Sequence, residues 1–241
     1  MSKSLDLPFR TAKQLASSIR KRKIGCLELL DIYVKRVEAY NPELNAVIAS
    51  DIEGARKRAK AADKAVKAGK KLGPLHGVPM TIKESFDVAG YATTWGDPAF
   101  RNHRAQKNSL VAQRMIDAGV TLFGKTNVPV DLADWQSYNP VYGATANPWD
   151  LGRTPGGSSG GSAAALATDM LPVCTGSDTG GSLRNPAAFC GVVGFRPSPG
   201  MVAVERRAMG WTPISVLGPM GRSVADVCLL YAAQVGQHDS D

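Results

Sequence analysis

Gly176-Ser177-Asp178-Thr179-Gly180-Gly181-Ser182-Leu183-Arg184-Asn185-Pro186 is the stretch on which the fold turns. An apolar run, Leu171 to Cys174, leads into it, and Phe189-Cys190-Gly191-Val192-Val193-Gly194 follows. A serine preceded by two glycines can be approached closely by a substrate carbonyl, because no side chain stands in the way. The N–H groups of Thr179, Gly180, Gly181 and Ser182 can converge on one oxygen, as stabilisation of an oxyanion requires. A plain glycine-rich turn accounts for the same residues, and this stretch alone does not choose between the two.

Eleven of the 25 glycines fall within residues 152–200. A flexible linker can have that composition. Here, however, the glycines alternate with an Ala-rich helix (Ser162 to Thr168) and two strands (Leu171 to Cys174 and Val192 to Phe195). The loop Gly156-Gly157-Ser158-Ser159-Gly160-Gly161-Ser162 feeds that helix. It lacks the Gly-Lys-Ser/Thr ending of a phosphate-binding loop. Gly156-x-Ser158-x-Gly160 has the wording of a nucleophile elbow, but no strand precedes it and only His238 lies downstream.

Upstream, Gly73 to Pro79 is a tight connection into a short apolar strand, Met80-Thr81-Ile82, which ends at Lys83. Ser109 to Ala118 reads as a helix with Leu110, Val111, Met115 and Ile116 inward. Gly119 stops it, and a buried strand, Val120 to Phe123, follows. This alternation predicts an α/β domain. The first third reads as helices. Leu27, Leu30, Tyr33, Val34 and Val37 recur at helical spacing until Asn41-Pro42, and residues 51–69 form a second helix with Gly69 as its C-cap. A last helix spans Ser223 to Val235, with Val224, Val227, Cys228 and Tyr231 on one face.

The formal net charge of +8 is unevenly spread. Residues 1–71 carry 17 basic and 8 acidic side chains, and residues 72–241 carry 12 and 13. A solvated helical face explains the excess, since no aromatic residues interleave the basic ones in sequence, and a nucleic-acid partner is not expected. No apolar run reaches the roughly 18 residues of a membrane span. Met1 to Asp6 has no apolar stretch like that of a signal peptide. Cys26, Cys174, Cys190 and Cys228 form no CxxC and read as free thiols of a reducing cytoplasm. The three histidines show no metal-ligand spacing, so neither a metal nor a histidine-centred mechanism is expected.

If Ser182 is a nucleophile, something must take its proton, and with histidine scarce a lysine is the next candidate. Lys83 ends an apolar strand away from the basic clusters. Desolvated there, it could serve as a neutral base. Taken alone, it reads as a solvated cation.

The joint pattern is more specific than its parts. Gly77-Val78-Pro79 with Lys83, Gly124-Lys125-Thr126-Asn127, Asn147-Pro148-Trp149-Asp150, the Gly156 to Ser162 loop, Asp178 to Pro186, Phe189 to Gly194 and Gly218-Pro219-Met220 resemble the amidase signature family in order and wording. The resemblance covers nearly the whole chain from about residue 10. It implies an α/β fold with a mixed β-sheet core flanked by helices. It also implies a single domain over residues 1–241, with a basic helical segment (1–71) and a catalytic signature region (72–241). Members are usually about twice this length, so the C-terminal part of the family's domain is expected to be missing.

The family resemblance further implies a Ser–cis-Ser–Lys triad. Ser182 takes the place of the nucleophile, Ser158 that of the bridging serine with a cis peptide bond, and Lys83 that of the base. The oxyanion falls to the N–H groups of Thr179, Gly180, Gly181 and Ser182. Asp178 and Arg184 are expected as a pair that fixes the loop, with a plain surface ion pair as the alternative. Ser159 and Ser162 are expected to hydrogen-bond within the loop or cap the next helix. Cys174 and Cys190 are expected to pack rather than react. The acyl pocket is expected near Asp131 to Ser137, where Trp135 either lines it or belongs to the core. The implied activity is cleavage of a small-molecule amide through an acyl-serine, with no cofactor. The glutaminase subunit of an aminoacyl-tRNA amidotransferase and an inactive fragment that only folds or binds are the alternatives. A homodimer stays open.

Overall fold

The computed structural model describes residues 6–205 and 212–239. The expectation for the extreme N-terminus therefore lies mostly outside the described residues.

Two helices open the fold. Helix α1 (Ala12–Arg20) begins with a capping box: Thr11 Oγ1 accepts the Gln14 N–H, and the Gln14 side chain accepts the Thr11 N–H. Helix α2 (Cys26–Leu44) starts at a glycine that has no side chain to cap it. Asp63, from a later helix, takes that role by accepting the N–H groups of Cys26 (2.7 Å) and Leu27 (3.2 Å). The helix does not end at Asn41-Pro42 but runs through Pro42 to Leu44. Proline removes only its own hydrogen bond in a last turn, and Asn45 still donates to the Asn41 carbonyl (2.7 Å). Asn41 instead sets the turn beyond the helix, its side-chain oxygen accepting the N–H groups of Ala46 and Val47.

Strand β1 (Val47–Ser50) follows, then helix α3 (Ile52–Lys67), with Gly69 at φ +64° just past its end. Strand β2 (Pro79–Lys83), helix α4 (Leu110–Asp117) and strand β3 (Thr121–Thr126) make a parallel strand–helix–strand unit, and β1 pairs antiparallel on the far edge of β3. Ser109 caps α4, and Val111, Ala112 and Met115 are buried. Ile116 is exposed, contrary to the inward placement expected for it, and Ala112 takes the inward position. A small hairpin of β4 (Tyr138–Asn139) and β5 (Gly143–Ala144) precedes the glycine-rich loop.

Helix α5 (Gly160–Ala167) begins two residues earlier than its alanines suggest and is almost wholly buried. A Cβ on Gly161 would sit 2.4 Å from the Asn127 nitrogen, so only glycine lets this helix dock. Strand β6 (Val173–Asp178) starts later and ends later than its apolar run. It is carried to Asp178 by an unbroken antiparallel ladder with β8 (Val216–Gly221). Helix α6 (Arg184–Cys190), the short strand β7 (Val193–Gly194) and helix α7 (Val224–Gln234) complete the order. β7 is half the length expected. The buried face of α7 is Asp226, Val227, Leu230 and Gln234; Val224 and Cys228 are exposed instead. Asp226 decides this rotation, because its carboxylate accepts the Ala12 N–H (2.6 Å) at the start of α1.

The β1-β3-β2 and β6-β8-β7 sheets abut edge to edge at β2 and β6. Side chains bridge the seam: the Lys83 N–H donates to Thr175 Oγ1 (3.2 Å), and Cys174 Sγ donates to the Thr81 carbonyl (3.2 Å). β2, β3 and β6 are buried along their whole lengths. Polar side chains at their C-terminal ends must therefore find partners inside the protein.

Candidate active site

The seam collects those polar ends. Lys83 is fully buried, and its Nζ lies 2.7 Å from Ser158 Oγ, 2.9 Å from Ser159 Oγ and 2.9 Å from Ser177 Oγ. No carboxylate is among these partners. Burial drives its pKa from 10.5 down to about 7, against the opposing pull of the Asp178 charge. Lys83 is thus not the solvated cation that its type alone would suggest.

The Gly157–Ser158 peptide bond is cis. The loop is held closely: a Cβ on Gly157 would lie 2.6 Å from the Gln136 carbonyl oxygen, and Ser137 Oγ donates to the Gly156 carbonyl while accepting the Gly160 N–H, each at 3.0 Å. Ser159 N–H donates to the Ser182 carbonyl (3.3 Å), which lays the two glycine-rich segments side by side. Lys83 and Ser158 are thus in direct contact. The backbone link holds Ser182 beside Ser159, and among the described residues no hydrogen bond reaches the Ser182 Oγ or ties it to Lys83 or Ser158. Ser162 turns away from the site and pairs with Thr126 Oγ1 (2.7 Å) and the Thr175 carbonyl (3.1 Å).

Asp178 holds the turn before Ser182. Its carboxylate accepts the N–H groups of Gly181 (2.9 Å) and Leu183 (3.1 Å), and both Nε and Nη2 of Arg184 at 3.0 Å. Arg196 adds a third cationic contact at 2.9 Å and also donates to the Asp178 carbonyl. Burial opposes ionisation, but the Arg184 and backbone hydrogen bonds outweigh it and hold the carboxyl down at about 2. The fully buried carboxylate sets this pair apart from a surface ion pair. One member of the expected oxyanion set needs correction, since the Gly181 N–H is already given to Asp178. The N–H groups of Thr179, Gly180 and Ser182 carry no hydrogen bond among the described residues.

Trp135 is not a core residue. It is 62% exposed, and its Nε1–H donates to the Gly180 carbonyl (3.1 Å), laying the indole across the glycine turn. Cys174 is buried among Thr81, Thr126 and Ser162, and burial raises its pKa; burial also pushes the Cys190 thiol up to about 12. Neither is poised as a thiolate. Among the described residues no group of His, Cys, Asp and Glu could hold a metal ion, and no helix is long and apolar enough to cross a membrane.

A sequence model of the family described as Amidase matches residues 28–241. The chain belongs to the amidase signature family. A glutamyl-tRNA(Gln) amidotransferase subunit from Acidothermus cellulolyticus is 39% identical over 98% of this chain and 47% of its own length. A putative amidase, AmiB2, of Mycobacterium tuberculosis is 41% identical over 95% of the chain and 49% of its own. The solved structure of a bacterial aryl acylamidase superposes with a TM-score of 0.92 at 32% identity, over 96% of this chain and 49% of that one. The chain therefore spans about half the length of the relatives it matches. The amidase signature fold, mixed α/β, accounts for the seam on which the site is built.

Reading the sequence alone misses several residues of this site. Thr175 and Ser177 stand two apart on a buried strand, so their side chains share one face, and that spacing is readable in the sequence. Arg196 has no such signal, because its pairing with Asp178 is purely tertiary.

Proposed function

We propose that the protein is an amidohydrolase that cleaves a small carboxamide through an acyl-serine intermediate on Ser182. The observation that carries this reading is the buried, unpaired Lys83 with its Nζ 2.7 Å from the hydroxyl of Ser158.

The hydrogen-bond directions support a proton relay. Ser159 Oγ lies 3.4 Å from the Ser177 carbonyl, which takes its proton, so Ser159 accepts from Lys83. A neutral amine has two N–H donors, which serve Ser159 and Ser177, and one lone pair left for the Ser158 hydroxyl. Ser158 then passes its proton to Lys83 and takes one from Ser182 as Ser182 attacks the amide carbonyl. The free N–H groups of Thr179, Gly180 and Ser182 are suited to the oxyanion. The same chain of groups returns the proton to the departing amine, and water releases the acid.

The exposed Trp135 and the neighbouring residues 131–137 would form the wall for the acyl side. The relatives that belong to amidotransferases favour glutamine hydrolysis as the second reading of the same chemistry. Cytoplasmic residence belongs to this proposal, as does the single-domain reading of residues 1–241. Pairing of two copies is decided by sedimentation equilibrium.

The decisive test is labelling with a fluorophosphonate followed by peptide mapping. The expected adduct lies on Ser182, is absent in Ser182→Ala and is strongly reduced in Lys83→Ala. An adduct indifferent to both changes, or no adduct at all, overturns the mechanism and leaves a chain that folds without reacting. A panel of amides that includes glutamine separates the two substrate readings.

A further inference from the structure

The N-terminal cations are not evenly solvated. Phe9, Lys13, Ser17, Ser18, Lys21 and Lys23 line one open groove of about 610 Å³. Asp6 and Arg10 also line it and pair with each other at 3.2 Å, which leaves the lysines in excess. Lys13, Lys21 and Lys23 have no acidic partner among the described residues, and the hydroxyls of Ser17 and Ser18 make no hydrogen bond there. Helical spacing explains the grouping: Lys13 and Ser17 fall four residues apart on the outer face of α1, Lys21 follows at its C-cap, and Leu15, Ala16 and Ile19 face the core. The groove thus offers three ammonium groups without acidic partners and the hydroxyl of Ser17, with Ser18 buried beneath.

Phe9 lies four residues before Lys13 in the chain, and the fold keeps it beside these cations. Phe9, 58% exposed, stands at the groove, with the Arg36 guanidinium 5.3 Å from its ring centre and Tyr40 4.9 Å away on the same guanidinium. We propose that this groove binds the phosphodiester backbone of a single-stranded nucleic acid, with Lys13, Lys21 and Lys23 on phosphates and Phe9 as a stacking face for a base. Cations that track a backbone beside an exposed ring are the elements such binding uses. A lipid surface fits less well. The apolar side of α1 is already buried in the protein, so nothing remains to enter a bilayer, and a flat headgroup layer cannot fill a concave groove.

The test uses the full chain and a fluorescent oligouridylate of about twenty nucleotides, read by anisotropy. Binding is expected to weaken steeply between roughly 50 and 200 mM salt, as counterion release requires. Reversing the groove in a Lys13→Glu/Lys21→Glu/Lys23→Glu variant should lower affinity by about tenfold or more. Reversing three exposed lysines of α3, Lys57→Glu/Lys60→Glu/Lys64→Glu, changes net charge equally and should cost much less. Circular dichroism melts confirm that both variants fold. Phe9→Ala should weaken the oligonucleotide but not inorganic polyphosphate. No binding by the folded wild-type chain, equal loss in the two triple variants, or stronger binding to phosphatidylserine vesicles than to the oligonucleotide overturns the proposal.

Discussion

Lys83 shows how one environment changes the meaning of a residue type. A lysine ammonium is ordinarily charged at neutral pH, and here burial without a carboxylate partner brings its pKa to about 7. Activity is therefore expected to rise as Lys83 loses its proton near pH 7 and to level off above it; a flat pH–rate profile across this range would count against a lysine base. Lys83→Arg keeps its proton throughout and should be inactive at every pH, with kcat lowered on the order of 10⁴-fold, as when a proton acceptor is lost from a comparable triad. Asp178 is held in the opposite sense, with its charge favoured by Arg184, Arg196 and two backbone N–H groups. Asp178→Asn should lower stability by about 2 kcal/mol and loosen the turn before Ser182, read as a fall in melting temperature together with kcat. Lys83, Ser158 and Ser182 could be named from residue order, because the family wording is local. That Ser177 and Ser159 also surround the amine, and that the Gly181 N–H is already occupied, depends on distances no spacing rule supplies.

At the scale of elements, strands are legible where apolar residues run together and obscured where polar ones continue the ladder. β6 extends to Asp178 because β8 pairs with it residue for residue, and a polar tail in a buried strand gives no apolar signal. α7 has a plausible apolar face in sequence, but its rotation is set by the bond from the Ala12 N–H to the buried Asp226 carboxylate. Caps behave likewise. Ser109 and Ser223 are visible in sequence, whereas the cap of α2 comes from Asp63 on another helix. Asp63→Ala is expected to cost about 1 kcal/mol, measured by denaturant unfolding, because it strands two N–H groups at the start of α2.

At the scale of the molecule, the site exists because two sheets meet. Lys83 ends one, Ser177 and Asp178 end the other, and the two glycine-rich segments close over the join. A second buried amine, Lys125, lies in the first sheet and donates to the carbonyls of Glu84 (2.9 Å) and Ala92 (2.6 Å); burial lowers its pKa to about 8, despite the nearby Glu84. Both lysines bind protons less readily folded than unfolded, where 10.5 is the ordinary value. The unfolded chain therefore takes up more protons between about pH 7 and pH 10, and stability should rise with pH across that window. Lys83→Met should flatten part of this rise in thermal melts without lowering the melting temperature at pH 7.

The sequence by itself determined the family, the α/β class with its main apolar helices and strands but not β1, the β4–β5 hairpin, α6 or β8, and the three residues proposed for catalysis. Those follow from local wording, apolar periodicity and the scarcity of histidine. Only the tertiary structure decided which hydroxyls surround Lys83, which N–H groups near Ser182 stay free, and that Trp135 lies on the surface. The physical reason is the same in each case. A hydrogen bond or a charge acts through distance in space, and residues far apart in the chain reach that distance only once the core has packed.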